Sequence, residues 1–328
     1  MWVIVISLFA AISLLLTVIL TPLMGKVGGR LGLTGIDIHK DWRPIIPKTG
    51  GLAVIASVSI SLLISSQIIG EQVIHLVFIL PMLIAGLVGV VEDALGEISP
   101  KVKPLLLVLA ALPILLLEAY VPRPILPFIG GTRLSRVYPL MVLAAYPVVG
   151  NAANSMDILN GSMALTSLPF FAMASTIFLL RGDITLLSIT LVIMSSLLGF
   201  LIYNKYPARI FSGNSGSLAV GALMATVAIV GRIEVAAIIA LLPHILNEMH
   251  VIFSMGGLRS AKSLRDRPVE IDNGFITAST RKTAPITLLR MLSSNVRITE
   301  KQAVAALTAV SIYTSLLALI TQILFIGM

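Results

Sequence analysis

The chain has 328 residues, of which 57% are apolar and only 12% charged, and its formal net charge is +8. Soluble domains carry about 25% charge, so this balance excludes a large soluble core and implies an integral membrane protein. There are no cysteines, which excludes disulfides, thiolate metal sites and thiol nucleophiles.

The positive residues lie in loops between apolar runs, where they read as topological bias and contact with anionic headgroups, not as nucleic-acid binding. A helix needs about 20 apolar residues to cross the hydrocarbon. Ten candidate spans follow in order: 2–24, 50–69, 74–91, 104–120, 138–156, 162–180, 184–203, 216–231, 233–256 and 303–326. The first, from Trp2 to Leu23, lacks a basic leader and a small-residue cleavage site, so it reads as a span and not as a removed signal. The expected fold is therefore an all-α polytopic membrane bundle of about ten helices. Loops after odd-numbered spans hold 18 Lys and Arg and the others hold 5, which places the former in the cytoplasm and both termini outside. The one long loop, 257–301, is then cytoplasmic. Within it, Asp272-Asn273-Gly274 between Val269-Glu270-Ile271 and Phe275-Ile276-Thr277 predicts a small hairpin. No internal repeat is visible, which speaks against an inverted-repeat transporter.

Three polar clusters interrupt the apolar chain: Glu92-Asp93, Asn151 to Gly161, and Phe211 to Ser217. Acids and amides are costly at such places. All three fall on the expected cytoplasmic side, so one polar site is predicted there. Acidic and amide oxygens suit a hard cation such as Mg²⁺, which takes a few protein ligands plus phosphate oxygens. The loops 25–49 and 257–301 are rich in Gly, Lys and Arg, and cations with free backbone N–H groups favour phosphate. Residue types and spacing alone thus give a membrane protein that handles phosphates. His244 and Glu248 stand one helical turn apart in the ninth span and are expected to satisfy a buried hydrogen bond.

Read in order, Pro44 to Gly51, Glu92-Asp93, the Asn-x-x-Asn-x-x-x-x-x-Asn-Gly string from Asn151 to Gly161, Tyr203 to Ser217, and Arg265-Asp266-Arg267-Pro268 resemble the polyprenyl-phosphate N-acetylhexosamine-1-phosphate transferases of the glycosyltransferase 4 type. The Tyr203-Asn204-x-Tyr206-Pro207 form and the Arg-x-Arg-Pro stretch resemble the eukaryotic and archaeal dolichyl-phosphate branch. The last loop has no histidine, unlike the bacterial branches. The resemblance covers nearly the whole chain, so residues 1–328 form one membrane transferase domain with 257–301 as a cytoplasmic subregion. It implies transfer of N-acetylglucosamine-1-phosphate from a UDP-sugar to polyprenyl or dolichyl phosphate at the cytoplasmic face of a cell membrane, with Mg²⁺ or Mn²⁺ as cofactor. Membrane lipids are expected partners, a homodimer is compatible with the reading, and no nucleic acid is expected.

The resemblance also implies roles for single residues. Asp93 would orient or deprotonate the lipid phosphate, with Glu92 in support. Asn154 and Asn214 would be metal ligands. Asn160, Gly161, Asn204 and Phe211 would hold the nucleotide. Lys103, or Lys101, would contact phosphate, and Arg265 and Arg267 would clamp the diphosphate. Lys48, Asp157 and Asn151 are further candidates. Two departures stand out: Glu92 and Asn214 each replace an Asp of the family pattern, and Asn214 removes the principal anionic metal ligand. Either Asp157 or Glu92 supplies the missing charge, or the chain is a relative that binds nucleotide or lipid without turnover, or the substitution is a deliberate inactivation. A transporter would instead need charges deep within several spans, and Glu118 and Glu248 are the main ones away from span ends.

Overall fold

The computed structural model describes residues 2–40, 42–259 and 265–326. Helices α1 (Trp2–Arg30), α2 (Gly50–Ile69) and α3 (Gln72–Leu95) correspond to the first three expected spans. The fourth, expected at 104–120, is shorter: α4 (Val102–Val108) and α5 (Leu112–Leu116), joined by a tight turn. Then come α6 (Tyr138–Ser155), α7 (Ser162–Arg181), α8 (Ile184–Asn204) and α9 (Gly213–Val230). The expected ninth span is broken into α10 (Glu234–Ala240) and α11 (Leu242–Ser254), which meet at a bend of 63°. Pro243 stands at the break, where a ring and a missing N–H interrupt the hydrogen-bond ladder. The chain ends with short α12 (Leu288–Leu292) and long α13 (Glu300–Thr321).

Among the described residues seven helices are long and apolar enough to cross a membrane, and the bent pair, taken as one span, makes an eighth. The remaining expected spans correspond to the short α4–α5 unit and to α6, which carries Asn151 and Asn154. The chain is an integral membrane protein.

The expected hairpin is present as β5 (Val269–Asp272) and β6 (Phe275–Ala278), paired with Asp272 opposite Phe275. Asn273 and Gly274 both have positive φ, as a two-residue hairpin turn of this hand requires. Strand β7 (Ile298–Thr299) adds to its edge. Two further ribbons were not legible in the sequence: β1 (Thr34–Ile36) with β2 (Ile45–Pro47), and β3 (Ile125–Leu126) with β4 (Gly130–Gly131). Residues 260–264 of the long loop, with Lys262, lie outside the described residues.

Lipid tails are as apolar as Leu, so helices in a bilayer associate through close packing and interhelical hydrogen bonds. Both occur here. Thr17 and Ser196 share a 2.8 Å hydrogen bond between α1 and α8, and Tyr146 and Thr226 share another of 2.8 Å between α6 and α9. The contact that places the site is between α3 and α9. A Cβ on Gly89 would lie 2.4 Å from the carbonyl group of Asn214, so only glycine lets α3 approach the start of α9 this closely. Asp93 is one helical turn beyond Gly89, on the same face. The approach that Gly89 permits therefore brings the Asp93 carboxylate to the first turn of α9.

Candidate functional site

The three polar clusters meet at one end of the bundle. The Asp93 carboxylate accepts from Asn214 Nδ2 at 3.1 Å and from the backbone N–H of Ser215 at 3.3 Å. It caps the N-terminal turn of α9, where the helix dipole favours negative charge. Gly213 starts that turn with φ of 68°, and a Cβ there would meet the Lys48 carbonyl oxygen at 2.1 Å and Asp93 Oδ2 at 2.6 Å. The glycine is required by both its conformation and its neighbours.

From Asp93 a continuous polar chain crosses the site. Asn214 Oδ1 accepts from Asn154 Nδ2 at 2.8 Å, and Asn154 Oδ1 accepts from Lys103 Nζ at 3.3 Å. Lys103 in turn pairs with Glu92 at 2.8 Å. Asn154 also donates to Ser217 Oγ at 2.7 Å. Lys103 is buried and Lys101 exposed, so the lysine of the network is Lys103. Glu92 stands beside Asp93 in sequence but is committed to this buried ion pair. Removing one partner of such a pair typically costs about 3–5 kcal/mol, so Glu92 fixes Lys103 and is not a free carboxylate.

Two cavities flank the chain of amides. The first, of about 290 Å³, is lined by Asp93, Lys48, Asp157, Asn160, Asn204, Phe211 and Gly213, with Asp37 and His39 from the segment after β1. The second, of about 430 Å³, is lined by Glu92, Lys103, Asn151 and Glu248, and by the apolar Ile98, Val251, Ile252 and Met255. Asn154 and Asn214 line both. The two adjacent acids therefore face different cavities, with the two amides as the shared wall.

The other candidate residues fall into three groups. Asn204 is buried and donates to the Ile210 carbonyl at 2.9 Å, while its Oδ1 has no partner. Phe211 is held in place by its backbone, whose N–H donates to Pro47 O and whose carbonyl accepts from Gly50. Asn160, by contrast, is fully engaged. Its backbone N–H donates to Glu300 at 2.8 Å, its Nδ2 to Asp37 at 3.0 Å, and its Oδ1 accepts from Lys40 at 2.7 Å and from the Ala208 N–H at 2.7 Å. Lys40 also pairs with Asp37 and with Glu300, the latter at 3.4 Å. Asn160 thus ties three segments together behind the cavity, with Gly161 buried beside it. Arg265 and Arg267 are exposed and line neither cavity. Arg267 is near enough to act on His39, whose imidazolium is pushed down to about 4 by burial, with Asp37 opposing and Lys40 and Arg267 adding to the effect.

Sequence reasoning missed Asp37, Lys40 and Glu300, because partners 120 to 260 residues apart leave no local pattern. The reading of the His244–Glu248 pair as one satisfied hydrogen bond is also corrected. Both ring nitrogens of buried His244 lack a partner, whereas Glu248 faces the second cavity, hydrogen-bonds Ser155 and lies within electrostatic reach of Lys103. A carboxylate in the middle of a helix within an expected span was the available signal.

Asp157 bonds the Ser212 hydroxyl, and burial pushes its carboxyl up to about 7, with the Ser212 bond opposing and Asp93 adding. A group whose folded pKa lies above its unfolded value favours folding at low pH. That contribution is lost as pH rises from about 4 to about 7. Asp157→Asn is therefore expected to match the wild-type melting temperature near pH 4 and to exceed it near pH 8. The gain should be on the order of 2 kcal/mol, since the side chain is only half-buried toward the cavity. Equal melting temperatures at both pH values would show that Asp157 carries no such penalty.

The profile of glycosyl transferase family 4 matches residues 75–232, a stretch that holds Glu92, Asp93, Lys103, the Asn151–Gly161 string and Asn204 to Ser217. Residues 75–232 belong to glycosyl transferase family 4. Among its relatives, a Saccharolobus solfataricus protein is 29% identical over 72% of this chain and 74% of its own length. Another from Sulfolobus acidocaldarius is 27% identical over 74% and 76%. Both are named, provisionally, UDP-N-acetylglucosamine–dolichyl-phosphate N-acetylglucosaminephosphotransferases. A phospho-N-acetylmuramoyl-pentapeptide-transferase of Anoxybacillus flavithermus is 27% identical over 72% of this chain and 78% of its own. The family-4 stretch contains the whole amide wall and both acids, but leaves Asp37, Lys40, Lys48 and Glu300 to segments outside it.

The donor set around the wall fits a hard divalent cation. Asp93 offers a carboxylate, Asn154 and Asn214 offer amide oxygens, and the neighbouring cavity has room for phosphate oxygens to complete the shell. Asp93 is the one anion among the three. Among the described residues no group of three His, Asp or Glu side chains forms a metal site, so any ion here depends on the amides and on the substrate.

Proposed function

We propose that the protein transfers N-acetylglucosamine-1-phosphate from UDP-N-acetylglucosamine to a polyprenyl phosphate of the dolichyl type, at the cytoplasmic face of the membrane. The observation that carries this reading is the pair of unlike cavities meeting at Asn154 and Asn214. The polar cavity suits a nucleotide: Asn204 Oδ1 is a free acceptor for a base N–H, and the Phe211 ring is available for stacking. The cavity with apolar walls suits a lipid phosphate, with Lys103 as its cation. The names of the archaeal relatives support the same donor and acceptor. The excess of Lys and Arg in one set of loops supports an orientation with the site in the cytoplasm.

In this reading an oxygen of the lipid phosphate attacks the donor phosphorus nearer the sugar. A new P–O bond forms, the diphosphate P–O bond breaks, and UMP leaves. Asp93, on the donor side of the amide wall, meets the attacking oxygen as it passes Asn154 and Asn214 and accepts its proton when that phosphate is protonated. Lys103, fixed by Glu92 and Asn154, holds the acceptor, and Lys48 lies beside Asp93 to receive the donor diphosphate. Asp93, Asn154 and Asn214 would hold Mg²⁺ or Mn²⁺, which supplies charge neutralisation on the diphosphate. Arg267, near His39 at the rim, extends the positive field toward the leaving group.

Membranes carrying the full chain, given radiolabelled UDP-N-acetylglucosamine, dolichyl phosphate and Mg²⁺, are expected to form a labelled lipid diphosphate sugar and UMP. Absence of product with Mn²⁺ as well would reject turnover. Retained binding of UDP-N-acetylglucosamine would then favour the second reading, a non-catalytic relative. That reading rests on the closed bonding of Asn214 to both Asp93 and Asn154.

A further inference from the structure

Beside Asn160, an apolar groove of about 460 Å³ runs between α7 and α13. Leu165, Val304 and Ile312 form its walls, and Ala305 and Ala309, one turn apart, open its length. Lys205 and Lys301 stand at its mouth with Tyr206. Both lysines are exposed, and neither forms an ion pair among the described residues. No acid lines the groove. Lys301 lies over the Tyr206 ring at 5.1 Å, and Lys40 lies over the same ring at 4.8 Å. An apolar channel with uncompensated cations at one end complements a lipid whose headgroup is anionic.

We propose that this groove holds one anionic membrane phospholipid, with its phosphate between Lys205 and Lys301 and an acyl chain along Ala305 and Ala309. The acceptor lipid is a poorer occupant. The groove shares no residue with the cavity of Glu92 and Lys103, and it touches the nucleotide cavity only through Asn160, so a phosphate seated there is not at the reacting position. The site is also connected to the catalytic end. Lys301 follows Glu300, which bonds Asn160 and Lys40, so an occupant that steadies the start of α13 steadies the rear of the nucleotide cavity.

The test is native mass spectrometry of the full chain released from detergent, titrated with phosphatidylglycerol and with phosphatidylcholine of the same acyl chains. The wild type is expected to retain one phosphatidylglycerol in preference to phosphatidylcholine. Lys205→Ala with Lys301→Ala should weaken that binding by roughly 25-fold, about fivefold for each lysine. Ala309→Phe, which fills the channel at an exposed position, should abolish retention with the melting temperature of the lipid-free protein unchanged. Equal retention of the two lipids by the wild type would overturn the proposal, as would unchanged binding in both variants. One-for-one displacement of phosphatidylglycerol by polyprenyl phosphate would overturn it too, since the groove would then belong to the acceptor.

Discussion

Asn214→Asp is expected to raise turnover by roughly 10- to 100-fold, a lowering of the barrier by about 1.4–2.7 kcal/mol, and to make folding stability depend on Mg²⁺. In the wild type the Asn214 amide donates to Asp93 and accepts from Asn154, so the wall is closed by hydrogen bonds alone. A carboxylate at that position has no proton to donate. It would set two anions across a gap now spanned by a 3.1 Å hydrogen bond, and like charges so close cannot both ionise without a cation. The variant should therefore melt lower than the wild type in chelator and regain stability on addition of Mg²⁺. The wild type should shift little under the same addition. Thermal melts with and without Mg²⁺ check the binding half, and the radiolabel assay checks turnover. If the variant melts identically in chelator and Mg²⁺, position 214 is not part of a metal site.

Asp93→Asn is expected to lower kcat by about 10²- to 10⁴-fold, the range associated with loss of a positioned proton acceptor. KM for the nucleotide sugar should change little. The isosteric amide keeps the packing against Gly213 and α9, but it loses the charge that caps the helix and accepts the proton. An equal loss in kcat and kcat/KM marks an interaction made only at the transition state. A rise in KM with kcat intact would instead make Asp93 a binding residue.

The apolar runs made most helices legible, because a bilayer demands length and hydropathy and little else. The hairpin at Asp272-Asn273-Gly274 was legible for a similar reason, since its turn residues have few alternatives. The sequence was less informative where packing decides. The ninth span read as continuous because its length suits one crossing, yet it bends by 63° at Pro243. The site was legible as three clusters, and Asp93, Asn154 and Asn214 do converge. Asn160 shows where such reading stops. Its position in the string was clear, but its bonds to Asp37, Lys40 and Glu300 arise from segments that meet only in three dimensions.

Glu92 and Asp93 are neighbours on one helix, yet each serves a different cavity. If the two substrates occupy those cavities as proposed, neither must depart before the other enters. The enzyme then needs no covalent sugar-phosphate intermediate to carry the group between half-reactions. Catalysis would proceed through a ternary complex assembled in either order, with the thickness of two asparagine side chains setting the distance that the phosphorus must span.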